Sequence, residues 1–241
     1  MICRTSIETE PASSVPTKAT AHHVDVHENH DSGFLYVQYG CGFTAPSQWM
    51  NFDASNTLKW ERIPLIGRTY TKNSQRFPRN VRCGDIVAGL PVPDGSCSGV
   101  FASHVLEHLA LDEFHRAIAN TRKILRNGGI FRLVVPDLEW SARQYLNRLE
   151  ANDATANSFF LEKTHLGHLK RDRGFLGLLY SWLQTSAHLW MWDAPSLIHA
   201  LEQLGFHQVR RCSFGDCEDP MFGIVESKTR FEDGVAIEAR R

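Results

Sequence analysis

The chain has 241 residues, with 26 Lys and Arg against 27 Asp and Glu and a formal net charge of −1. That balance offers no electrostatic case for a nucleic-acid partner, and no apolar run approaches the roughly 20 residues a membrane helix needs. The length suits one α/β domain with a sizeable core, and six cysteines without a C-x-x-C pair or a secretory leader point to a reduced, cytoplasmic protein.

Residues 1–33 are rich in Thr, Ser, Pro, Ala and His and lack apolar periodicity, so they read as a flexible N-terminal tail. His22, His23, His27 and His30 fall in it and read as solvated side chains rather than metal ligands. Residues 34–241 are expected to form the folded domain.

Phe34-Leu35-Tyr36-Val37 is the first apolar, β-favouring run. Gly40-Cys41-Gly42 then lets the backbone turn tightly and approach a ligand with no Cβ in the way. Trp49-Met50-Asn51-Phe52 is a second short strand, and Asp53 closes it. An acid at such a strand end can accept hydrogen bonds from a ribose diol. The turn lacks the full G-x-G-x-x-G pattern and holds no Lys or Arg, so it makes no case for a pyrophosphate. Taken alone, Asp53 reads equally as a turn residue.

Further along, Gly84-Asp85-Ile86 precedes Leu90-Pro91-Val92-Pro93-Asp94-Gly95-Ser96 and the strand Gly99-Val100-Phe101-Ala102-Ser103. A helix-like stretch begins at His104. A second helix spans residues 112–126, with Phe114, Ile118 and Leu125 near one face, and stops at Asn127-Gly128-Gly129. Ile130-Phe131-Arg132-Leu133-Val134-Val135, closed by Pro136-Asp137, is nearly continuous in apolar residues and suits a central parallel strand.

In this order the motifs Gly40-Cys41-Gly42, Asn51-Phe52-Asp53, Gly84-Asp85, residues 90–96, residues 103–109, Leu125-Arg126-Asn127-Gly128-Gly129 and residues 132–139 resemble those of class I S-adenosylmethionine-dependent methyltransferases. The likeness is to the small branch with SHVLEHL and RLVVPDLE motifs. It runs over residues 34–145 and resumes at residues 190–215. It implies a Rossmann-like fold with a seven-stranded, mostly parallel sheet, its last strands near residues 208–214 and 234–239 pairing antiparallel. A helix over residues 195–204 leads into them.

The resemblance also implies site roles. Tyr39, Gly40, Cys41 and Gly42 would lie along the methionine part of S-adenosylmethionine. Asp53 would hold the ribose hydroxyls, Asp85 would accept from the adenine amino group, and Ile86 would pack on the ring. Ser103 and His104 follow the strand that ends beside the transfer site. Ser103 reads equally as a helix N-cap. Gln38 stands where the family usually has an acid, and Phe43-Thr44-Ala45 replaces a third glycine.

Residues 140–192 form an insert with a helix near residues 141–149 and many aromatics, among them Phe159, Phe160, Phe175 and Trp182. In the family it would follow the fifth strand and act as a helical lid over the acceptor. A core or homodimer contact is the other reading. Methyl transfer needs the acceptor about 3 Å from the methyl carbon, opposite the sulfur, and aromatic faces stabilise a sulfonium. Tyr39, Phe43, Trp182, Trp190 and Trp192 are candidates for that wall. A hydroxyl acceptor would need a base: His104 first, then His165 and His188.

The expected activity is therefore methyl transfer to N or O of a small metabolite or sugar-like acceptor. The alternatives are a non-catalytic methyltransferase-like scaffold and a cofactor-using cyclisation. His104-x-x-Glu107-His108 also matches a metallopeptidase helix pattern. Embedded in the methyltransferase motifs, Glu107 and His108 read instead as helix N-terminal residues contacting the loop before them, and no metal is expected.

Overall fold

The computed structural model describes residues 35–65, 67, 75–167 and 187–241. The chain divides into Met1–Gly33 and Phe34–Arg241, and every described residue belongs to the second unit. The N-terminal tail and its four histidines therefore lie outside the described residues.

Seven strands form one sheet in the order β3-β2-β1-β4-β5-β7-β6. They are β1 (Leu35–Tyr39), β2 (Met50–Asp53), β3 (Val81–Cys83), β4 (Cys97–Ser103), β5 (Leu125–Pro136), β6 (His207–Arg211) and β7 (Gly234–Arg240). The first five run parallel. β7 lies antiparallel between β5 and β6. The sheet expected from the sequence is thus present, with its two C-terminal strands at residues 207–211 and 234–240.

Strand alternation sorts the core into two faces. The first helix is α1 (Asn56–Glu61), and Val37, Tyr39, Phe52, Val100, Ala102, Phe131, Leu133 and Val135 share one buried cluster with residues of two later helices, α2 (Leu111–Ile124) and α5 (Ala194–Gln203). Phe101, Ile130 and Val134 point to the other face, where Trp49, Phe222 and Val225 cover them. α2 buries Phe114, Ala117, Ile118, Thr121 and Ile124, the 3–4 spacing of a single helical stripe. Its first turn is held by Glu113, whose carboxylate accepts the Ala110 N–H at 3.0 Å. α5 starts on Asp193, which accepts the Ser196 N–H at 2.9 Å.

Three local expectations are corrected. α2 stops at Ile124, because Leu125 is already extended and pairs with Cys97 of β4. The Asn127-Gly128-Gly129 stretch lies inside β5, where the β4–β5 register shifts, and does not end the helix. After β4, His104 has φ +54° and only Leu106–His108 forms a 3-10 turn, so no α-helix runs through residues 104–109.

Within the insert, α3 (Leu138–Glu150) and α4 (Ala156–Lys163) pack on each other through Tyr145 against Phe160, ring centres 5.5 Å apart. Asp137 caps α3 by accepting the Glu139 N–H at 2.8 Å. Phe175 and Trp182 lie outside the described residues. Among the described residues no helix is long and apolar enough to cross a membrane, and Cys41, Cys83, Cys97, Cys212 and Cys217 are free thiols.

Candidate active site

Because β3, β2, β1 and β4 are parallel neighbours, the residues after each strand meet at one edge of the sheet. Gly40, Asp53, Asp85 and Ser103 belong to that edge. Open α/β sheets bind ligands there.

The turn after β1 is set by packing. Gly40 has φ +65°, and a Cβ there would lie 1.9 Å from Val105 Cγ2. Only glycine lets the loop after β4 come this close. Asp53 is buried and fastens the same turn: its Oδ2 accepts the Gly42 N–H at 3.0 Å and its Oδ1 the Ser55 N–H at 2.8 Å. A carboxylate has about four lone-pair positions, so two remain for other donors. Gln38 is buried, and its Nε2 donates to Thr44 O at 2.8 Å and to Asn51 Oδ1 at 2.6 Å. Its amide thus ties the turn to β2.

A small cleft, open to solvent, is lined by residues 38–41, Thr44, Phe101, Ser103, Val225, Ser227 and Arg230. Ser103 Oγ is buried and has no hydrogen-bond partner. It caps no helix, since its neighbour His104 takes a left-handed conformation. The wall formed by Val225, Ser227 and Arg230 was missed in the sequence. Nothing local marks those residues, and only the return of the chain after the 3-10 turn Pro220–Ile224 brings them to β1 and β4.

The other expected residues fall as follows. Asp85 is exposed next to β3, with Oδ1 accepting the Val87 N–H at 2.8 Å. Neither Asp53 nor Asp85 lines the cleft itself. Cys41 borders it and is 7% exposed; burial, with Asp53 nearby, pushes its thiol up to about 12, so it is no nucleophile. Ile86 is buried in the core cluster.

Tyr39 is not part of an aromatic wall. Its ring shares the core face of Val37, and its hydroxyl pairs with Thr121 Oγ1 at 3.1 Å, so it offers the cleft its main chain. Trp192 is likewise buried in the core, 4.3 Å from Phe114. Phe43 and Trp190 are exposed.

His104 Nε2 lies 2.8 Å from the Arg230 carbonyl, to which it must donate, and Nδ1 lies 3.5 Å from Glu107 Oε1. Glu107 and His108 lie in a 3-10 turn rather than at an α-helix N-terminus, and His108 N–H donates to the Val105 carbonyl of the preceding loop at 3.1 Å. The Glu107 carbonyl accepts the N–H groups of Leu189 and Trp190 at 2.7 and 3.2 Å, and His108 Nδ1 is 3.0 Å from the Ala187 carbonyl. His188 is buried beside them, and that burial pushes its imidazole down to about 4. His165 is exposed, its ring 4.7 Å from that of His188.

Residues 37–133 match the family model described as the methyltransferase domain. No curated protein matches the chain. Among solved structures, an S-adenosylmethionine-dependent methyltransferase from Archaeoglobus fulgidus is 16% identical over 87% of this chain and 87% of that one, with a TM-score of 0.48. The CurJ carbon methyltransferase is 16% identical over 86% of this chain and 48% of that one, at a TM-score of 0.45. Phosphoethanolamine N-methyltransferase 2 of Haemonchus contortus, in complex with S-adenosyl-L-methionine, is 11% identical over 87% of this chain and 49% of that one, at 0.43.

The strand order and the glycine turn after β1 give a Rossmann-like fold, within which residues 37–133 match the methyltransferase domain. Over residues 37–133 the chain is similar to a methyltransferase domain, and the resemblance in its motifs implies S-adenosylmethionine as the cofactor. Its residues fit that cofactor: the orphaned Ser103 hydroxyl on the cleft wants a polar partner, and Asp53 keeps two acceptor positions at the same sheet edge.

Proposed function

We propose that the protein moves a methyl group to the nitrogen or oxygen of a small polar acceptor held in the cleft beside Ser227 and Arg230. The observation that carries this reading is Ser103 Oγ, a buried hydroxyl without a partner that borders the cleft at the end of β4. A buried polar group left unpaired costs about 1–3 kcal/mol, and a bound polar ligand removes that cost. The cleft lining of Gln38, Thr44, Ser103, Ser227 and Arg230 favours a polar acceptor over an apolar one.

S-adenosylmethionine supplies a methyl carbon already activated by its sulfonium, so the protein has mainly to position and to exclude water. The main chain of residues 39–42 is assigned to the methionine part. Asp53 is assigned to the ribose diol, Asp85 to the adenine amino group and Ile86 to the apolar contact with the ring. Ser103 holds a polar group at the transfer end. The insert over residues 140–192 is assigned as a lid on the acceptor side.

A neutral amine acceptor releases its proton to solvent. The proton of a hydroxyl acceptor is assigned to His104. Its Nε2–H donates to the carbonyl of Arg230, itself a cleft residue, so accepting that proton at Nε2 means breaking this bond and shifting the ring's own proton to Nδ1, the neutral ring's free nitrogen. Catalytic hydrogen bonds commonly rearrange in this way when ligand enters.

Calorimetry with S-adenosylhomocysteine tests the reading. Ser103→Ala should raise the ligand-free folding stability by up to about 1–3 kcal/mol, because it removes an unpaired buried hydroxyl, and weaken binding by about 1 kcal/mol. Unchanged affinity removes Ser103 from the site. Failure of the unaltered protein to bind at millimolar ligand would favour the non-catalytic alternative.

A further inference from the structure

Glu107 presents an electrostatic problem that the methyl-transfer site does not solve. Its side chain is 1% exposed, and neither carboxylate oxygen has a hydrogen-bond partner. A carboxylate withdrawn from water in this way needs a compensating charge.

The groups around it are nitrogens. His108 Nδ1 faces the Ala187 carbonyl at 3.0 Å and must donate to it. In the neutral ring that leaves a lone pair on Nε2, which lies 3.9 Å from Glu107 Oε1. That distance is too long for a hydrogen bond. His188, 8% exposed, presents a buried Nδ1 with no partner. The backbone fixes this grouping, because the N–H groups of Leu189 and Trp190 both donate to the Glu107 carbonyl and so lay His188 against the 3-10 turn.

We propose that Glu107, His108 and His188 bind a divalent transition-metal ion, for which zinc is the best match. One ligand atom from each residue lies within 4.8 Å of the others. Arms of about 2.0–2.2 Å put tetrahedral neighbours roughly 3.4 Å apart, so the site closes by side-chain movements of about an ångström. Two imidazoles and one carboxylate suit zinc, whereas calcium and magnesium prefer all-oxygen sets. The His108 Nδ1–H bond to a carbonyl is the outer contact that orients a ligating imidazole.

This is not the peptidase pairing of His104 with His108 on one helix. His104 breaks the helix with φ +54° and spends Nε2 on Arg230. The third ligand instead comes from the irregular segment 187–192 at the end of the insert, which the ion would pin to the turn following β4. The inference does not rest on the methyl-transfer reading.

The test uses the full chain, stripped with a chelator and then equilibrated with zinc chloride alone. Zinc is counted by elemental analysis, and thermal melting is followed with and without the metal. The unaltered protein should hold one zinc more per chain than Glu107→Gln or His188→Gln. The difference is what counts, since His22, His23, His27 and His30 can add zinc of their own. Zinc should raise its melting temperature and leave those of both variants unmoved, with affinity falling more than the 10–100-fold that losing an outer partner brings. Glu107→Gln should raise the metal-free melting temperature, because it removes an unpaired buried charge. Equal zinc content and equal shifts in all three proteins would overturn the proposal. So would the absence of bound zinc in all three.

Discussion

The main-chain N–H of Gly42 donates to Asp53 Oδ2 at 3.0 Å. This one bond joins the turn after β1 to the end of β2, so Asp53 shapes the proposed binding loop before any ligand arrives. Asp53→Ala should therefore act twice. Affinity for S-adenosylhomocysteine should fall by about 1–3 kcal/mol, and folding stability should fall by a similar amount because Gly42 and Ser55 lose their acceptor. Calorimetry reads the first and urea unfolding the second. A variant that loses stability while keeping full affinity would mean that Asp53 serves only the turn.

Gly40 and Val105 should be coupled. Gly40→Ala places a methyl 1.9 Å from Val105 Cγ2 on a backbone with φ +65°. The overpacking costs about 1–3 kcal/mol and the left-handed conformation about 1–2 kcal/mol more. In a double-mutant cycle Val105→Ala should return the first part and leave the second. Additive losses would show that the two loops separate freely.

Arg132 stands in the middle of β5, 1% exposed, between Ile130 and Val134 on the face covered by the C-terminal segment. Its guanidinium pairs with Glu226 at 2.6 Å, Glu238 at 2.7 Å and Asp216 at 2.9 Å. Arg132→Met keeps the apolar stem and strands those acids. Breaking a buried pair from one side costs about 3–5 kcal/mol, so the urea midpoint should drop sharply. A loss under about 1 kcal/mol, the value of an exposed pair, would contradict the network.

The same network sets an acid limit. Burial pushes the Glu238 carboxyl up, but hydrogen bonds from Arg132, Cys217 and Arg210 outweigh it and hold it below the ordinary 4.5. Asp216 is likewise held below 3.8, burial being outweighed by the Ser213 N–H, Arg132 and Arg210. The unfolded chain then binds protons more readily than the folded one. The stabilisation is complete above those ordinary values and is lost as pH falls through the lower folded ones. Unfolding free energy should be level near neutrality and decline below about pH 4. In Arg132→Met the acid limb should flatten; an unchanged slope would place the titrating groups elsewhere.

Local patterns carried much of this in the sequence. β1, β2, β4 and β5 are short apolar runs bounded by turn residues, and Gly40-Cys41-Gly42 with Asp53 is a contiguous motif whose geometry depends on its own few residues. The Tyr39 wall assignment failed on strand alternation: Tyr39 shares the face of Val37, which is core. The helix expected from His104 failed because the 3-10 turn is held from outside, by Leu189 and Trp190. Arg132 was absorbed into an apolar run because its acids are 84, 94 and 106 residues away.

The sequence by itself determined the mostly parallel sheet, the glycine turn after β1 and the resemblance to a methyltransferase domain, because period, glycine placement and motif spacing act within a few residues. Only the tertiary structure decided what surrounds them. The cleft wall at Val225, Ser227 and Arg230, the tie of His104 to a carbonyl 126 positions away and the meeting of Glu107 with His188 all arise where distant segments are brought together. There burial removes water and makes each polar atom depend on whichever partner the fold supplies.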